Sequence, residues 1–168
     1  MRRFLVALIA AGLAAGGFLV GPGSAGAAPV PSCKGALLKI TAANAQGAAG
    51  HGFVTLRFRN ISQATCSLRG YPGLDALRKN GHLLAHAKRS LHGVGGAHKV
   101  KTIVLKPYRL ASAEAEWSNF GAGGTDCAAS HSIAVTAPNT ARTVHFKVRV
   151  TKCGLKIHPV VTGKTGQP

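Results

Sequence analysis

The chain has 168 residues, of which 21 are Lys or Arg and only 4 are Asp or Glu, for a net charge of +17. That length suits one domain with a proper core and leaves little room for a second. So few carboxylates cannot neutralise the basic residues internally, and a field of this sign repels like molecules while concentrating polyanions.

Residues 1–27 read as a secretory signal peptide. Arg2 and Arg3 precede an apolar run from Phe4 to Val20, and Ala25-Gly26-Ala27 offers the small residues that signal peptidase needs. The run is marginal for spanning a bilayer, and residues 21–26, rich in Gly, Pro and Ser, end it without a basic flank. Cleavage is therefore expected, with no transmembrane segment in the mature chain. The 141 residues that remain carry 19 basic and 4 acidic side chains, or +15.

Export sets the reading of Cys33, Cys66, Cys127 and Cys153, because thiols oxidise outside the cytoplasm. Lipidation of Cys33 is the rival. Pro31 stands where a small or β-branched residue is expected, Cys33 lies well past the apolar run, and its loss would leave an odd thiol. Four cysteines allow three pairings, which sequence cannot separate. Sequential pairing, Cys33 with Cys66 and Cys127 with Cys153, closes two loops of about 30 residues and is preferred, with the crossed alternatives left open.

A two-residue rhythm runs along the mature chain. In residues 52–60, Val54, Leu56 and Phe58 alternate with Thr55, Arg57 and Arg59. Asn80-Gly81 between residues 74–78 and 83–87 predicts a type I′ hairpin. Residues 91–99, rich in Gly and Ala, read as a mobile surface loop. Ala111, Ala113, Ala115 and Trp117 alternate with Ser112, Glu114, Glu116 and Ser118. In residues 144–151, Val144, Phe146, Val148 and Val150 point inward while His145, Lys147, Arg149 and Thr151 point out. Further breaks fall at Tyr71-Pro72-Gly73, Lys106-Pro107 and Ala137-Pro138-Asn139. No stretch shows a helical period. The pattern predicts an all-β, antiparallel sandwich, immunoglobulin-like in the broad sense, over residues 28–161, with a disordered tail over 162–168.

The block from Leu56 to Gly73 ends a strand in Asn60-Ile61-Ser62 and continues through Thr65-Cys66-Ser67-Leu68-Arg69-Gly70-Tyr71-Pro72-Gly73. It resembles a secreted actinobacterial family of domains of unknown function that carries the signature Thr-Cys-x-Leu-x-Gly-Tyr-Pro-Gly. Cys33, then Leu105, Pro107 and Trp117, then Cys127, and finally Cys153 with Leu155 and Pro159-Val160, follow in the order of that family. The resemblance spans nearly all of residues 33–163. It implies an exported β-domain with disulfides and assigns no activity. One departure is Pro107-Tyr108, where family members usually have Pro-Gly, a residue far more tolerant of unusual dihedrals.

The residues that could carry chemistry are few. Glu114 and Glu116 share one outward strand face amid basic neighbours and read as surface ion-pairing groups, while Asp75 and Asp126 read as turn residues. No G-x-S-x-G elbow or Cys-His signature occurs, so no catalytic residue is assigned. His82, His86, His92 and His98 crowd together and offer a metal-binding alternative with Zn or Cu. Nearby Lys88, Arg89 and Lys99 oppose a cation, so neither a metal nor a cofactor is assigned.

The basic residues are better organised. Arg57, Arg59, His145, Lys147, Arg149, Lys156 and His158 would merge into one cationic, anion-binding face if their strands are neighbours. Few exposed aromatics argue against specific nucleic-acid binding. The expected function is a secreted, non-enzymatic module of the cell envelope or extracellular space. Its expected partner is an anionic cell-wall polymer or an acidic lipid surface. The alternative from another class is a secreted enzyme or protease inhibitor.

Overall fold

Two long strands with complementary side-chain volumes organise the chain. In the computed structural model, which describes residues 28–168, His51–Asn60 and Leu110–Ser118 pair antiparallel over nine positions. Val54, Leu56 and Phe58 lie opposite Ala115, Ala113 and Ala111, so each bulky inward residue faces a methyl group. At the far end the volumes reverse. Gly52 pairs with Trp117, and a Cβ at Gly52 would run into the indole ring. This alternation of large and small lets adjacent strands share one close-packed face. The signal peptide expected over residues 1–27 lies outside the described residues.

In chain order the strands are β1 (Leu38–Ala42), β2 (Gln46–Ala48), β3 (His51–Asn60), β4 (Cys66–Arg69), β5 (Gly73–Leu77), β6 (Leu83–His86) and β7 (Lys88–Arg89). There follow β8 (Thr102–Leu105), β9 (Leu110–Ser118), β10 (Ser132–Thr136), β11 (Thr143–Phe146), β12 (Lys156–Ile157) and β13 (Val161–Thr162). One sheet runs β1-β3-β9-β12-β7, with β2 added to β3 and β13 to β9. A second runs β11-β10-β5-β6, and β4 pairs with β8 separately. Inward residues of all three meet in one core that includes Leu38, Phe58, Leu68, Leu105, Ile133, Val135 and Ile157. The all-β, antiparallel expectation is met, apart from the parallel pairing of β7 with β12 and a parallel bridge between Ser32 and Ser67 among the described residues.

Both bridges are sequential, Cys33–Cys66 and Cys127–Cys153, and no cysteine is free among the described residues. The first fastens the N-terminal segment to β4, where the Cys33 amide also donates to Ser67 O at 2.9 Å. The Asn-x-Ser element before it is a structural peg. Fully buried Asn60 donates to Ala64 O and Leu105 O and accepts from the Ser62 amide and hydroxyl, so all four of its hydrogen-bonding capacities are used.

Three local expectations change. The 78–82 turn is not type I′, because only Gly81 has a positive φ (80°) while Asn80 does not. Arg78 N bonds His82 O, and Gly81 N bonds Arg78 O, which is the three-residue hairpin with a left-handed glycine. The single strand expected over 144–151 stops at Phe146. Val148 N turns back to Phe146 O, and the Ser130 hydroxyl takes over the Val150 amide. Thr151, expected outward, is buried, with its hydroxyl donating to Ser118 O.

Candidate anion-binding surface and the polar layer beside it

Alternation on β9 is as expected, but its outward side is not solvent. Ser112, Glu114 and Glu116 are all buried, at 0%, 5% and 4% exposure. Two segments cover them. Residues 91–99, expected to be a mobile surface loop, cross the β9–β12 part of the sheet, and Val94 N and Gly95 N donate to Glu116 Oε2 at 2.9 and 3.3 Å. The C-terminal residues, expected to be disordered, cross β3 and β9. There Lys164 O accepts from Arg57 Nε at 2.9 Å, Thr165 O from the Thr55 hydroxyl, and Gly166 N donates to Ser112 Oγ at 2.8 Å.

The glycines explain the close fit of the loop. A Cβ at Gly93 would strike the Glu116 carboxylate, and one at Gly95 would strike that of Glu114. Gly96 is the most constrained, since its φ is +77° and a Cβ would enter the His158 ring.

The two glutamates beneath are unequal. Lys156 Nζ lies 2.8 Å from Glu116 Oε1 and His158 Nε2 lies 3.6 Å from Oε2. Burial alone would raise the Glu116 carboxyl, yet the Lys156 hydrogen bond, the Gly95 and Val94 amides and the Lys156 charge hold it below its ordinary value. Glu114 has no such set. Burial pushes it up, the Gln167 side chain opposes this, and the Glu116 charge adds to it, while Oε1 has no hydrogen-bond partner. Surface ion pairing is thus corrected for both: one is a buried ion pair and the other a desolvated carboxyl.

The expected cationic set divides into three places. Arg57 and Arg59 lie on the outer face of β3. His145, Lys147 and Arg149 are exposed on β11 and just beyond it, which belongs to the other sheet on the far side of the core. Lys156 is tied to Glu116, and His158 is fully buried beside the loop, so neither extends a surface patch. The strands are not neighbours, and the single face expected from all seven residues does not form.

A different set gathers around Arg59. The β1–β3 register puts Lys39 beside Arg59, and the β3–β9 register puts Leu110 on its other side. The turn 106–109 joins β8 to β9 and is pinned to the end of β3, with Tyr108 N donating to Asn60 O and Asn60 N to Arg109 O. Lys106, Arg109 and Lys164 line a cleft here with Tyr108. Lys39 could have been found from the alternation Leu38-Lys39-Ile40. Arg109 and Lys164 carried no such signal, since a turn and a folded-back tail bring them in.

Acid is scarce on the exterior. Two of the four carboxylates are buried, and Asp75 Oδ1 is 2.6 Å from His86 Nδ1. Lys156 is the one Lys or Arg in an ion pair among the described residues. The four clustered histidines are dispersed: His86 meets Asp75, His98 bonds Leu91 O and stands edge-on to His158, and no group of three or more His, Cys, Asp or Glu is placed to hold a metal ion among the described residues. No helix among them is long and apolar enough to cross a membrane.

The family model described as "Domain of unknown function (DUF4232)" matches residues 33–165, most of the chain. No curated protein and no solved structure matches it.

Proposed function

Because the chain belongs to the DUF4232 family, whose description assigns no activity, we propose a function from its own surface: a secreted, non-enzymatic binding module of the cell envelope or extracellular space. Its outer face around β3 holds anionic envelope polymers or acidic lipid surfaces. The disulfides accord with an oxidising compartment. The observation that carries the reading is the in-register pair Lys39 and Arg59, with Arg109 and Lys164 nearby, on a face whose own carboxylates are withdrawn from solvent. Like charges placed side by side repel, and a bound polyanion relieves that repulsion.

Binding to a phosphate-rich polymer such as poly(glycerol phosphate) is expected to weaken steeply as salt rises, because exposed charges are screened over about 8 Å at physiological ionic strength. Replacing Lys39, Arg59, Arg109 and Lys164 together by Gln should weaken it about tenfold or more at low salt. Arg57 is left in place because it holds the tail. Replacing Arg78, Lys79, Lys147 and Arg149 removes the same charge from elsewhere and should cost less than about threefold. Equal losses, read by titration calorimetry, would mean a diffuse field with no face.

A further inference from the structure

Tyr108 is an exposed aromatic residue held in a backbone conformation that its side chain resists. Its φ is +62°, in the left-handed region that L residues rarely adopt, and 49% of its surface is open to solvent. Glycine would take the same conformation without strain. The fold nonetheless fixes the ring. The Tyr108 amide bonds Asn60 O, its hydroxyl meets Gln63 Nε2, and the Arg59 guanidinium lies 5.8 Å from the ring centroid.

Beside the ring lies a cleft of about 510 Å³, lined by Val104, Leu110, Tyr108, Lys106, Arg109 and Lys164 among others, with no carboxylate in its lining. Val104 is itself half exposed. The cleft lining therefore combines an aromatic ring, apolar side chains and three cations. A bare polyphosphate chain would use only the cations. A sugar ring presents an apolar C–H face that lies well on a tyrosine, and an acidic substituent on that ring would reach the lysines and arginine.

We propose that this cleft is a ring-reading subsite for an acidic glycan: Tyr108 stacks on a sugar ring while Lys106, Arg109 and Lys164 hold its carboxylate or phosphate. The inference rests on the anionic-polymer reading above and adds to it the requirement for a sugar.

Polygalacturonate, a ring-bearing polyanion, and poly(glycerol phosphate), which has no ring, separate the two ideas. Tyr108→Gly should weaken polygalacturonate binding about tenfold and change poly(glycerol phosphate) binding less than about twofold, with a Tm equal to or above that of the wild type because the strain is gone. Tyr108→Phe keeps the ring and should bind polygalacturonate nearly as the wild type does. If the wild type holds poly(glycerol phosphate) but not polygalacturonate, the face stands and the subsite is refuted. The subsite is likewise refuted if Tyr108→Gly binds polygalacturonate as tightly as the wild type, or if its largest loss is on single-stranded DNA. Failure of the wild type to bind any of the three polyanions would remove the cationic face and the subsite together.

Discussion

Glu116→Ala is expected to lower the stability of the domain by about 3–5 kcal/mol near neutral pH, the range for breaking a buried ion pair. The lower end applies, because the Lys156 side chain is 35% exposed and regains water. The Val94 and Gly95 amides lose their acceptor as well, which releases residues 91–99 from the sheet. Glu114→Gln should be neutral or stabilising at pH 7, since it removes a desolvated charge beside Glu116.

The two glutamates also have opposite pH signatures. The lowered carboxyl of Glu116 contributes stability that is complete above its unfolded value and disappears as pH falls through the folded one. The raised carboxyl of Glu114 contributes stability that is complete below its unfolded value and disappears as pH rises through the folded one. Glu116→Gln should therefore flatten the loss of stability on acidification below about pH 4.5, whereas Glu114→Gln should act above that value, where it removes a gain in stability on acidification. Urea denaturation across pH 3 to 7 checks both, and a Glu116→Ala midpoint matching the wild type would sink the ion-pair account.

Loss of either disulfide is expected to cost about 3–4 kcal/mol, from the loop-closure entropy that each bridge removes from the unfolded chain. The separations are 33 residues for Cys33–Cys66 and 26 for Cys127–Cys153, so the two costs should be similar. Paired Cys→Ser variants measured by denaturation separate them. The Cys33 and Cys66 pair should also loosen the segment before β1, visible as faster amide exchange at Cys33 and Ser67. A chain as stable reduced as oxidised would contradict this.

What alternation could reveal was which residues share a side, and on β3 and β9 it did so residue by residue. It could not reveal what lies on that side. Ser112, Glu114 and Glu116 read as solvent-facing because period two separates two faces without saying which is covered. The covering segments have no period of their own, and their local signal is glycine, at Gly93, Gly95 and Gly96 in one and Gly166 in the other, which marks close backbone approach. The same limit applies to the cationic face. Arg57 with Arg59, and His145 with Lys147 and Arg149, were each placed on exposed strand positions, but which sheet each strand joins depends on long-range pairing. At Tyr108 the backbone is left-handed despite the side chain, a conformation that alternation could not signal.

The most direct measurement of the central claim is an amide chemical-shift titration of the wild-type domain with poly(glycerol phosphate). Shifts should concentrate at Lys39, Arg57, Arg59, Arg109 and Lys164 on and around β3, and should fade on raising the salt. His145 on the other sheet, with Lys147 and Arg149 just beyond the end of β11, all exposed, should move little. Shifts of equal size on both sheets would contradict a localised binding face and leave only the net charge of the chain.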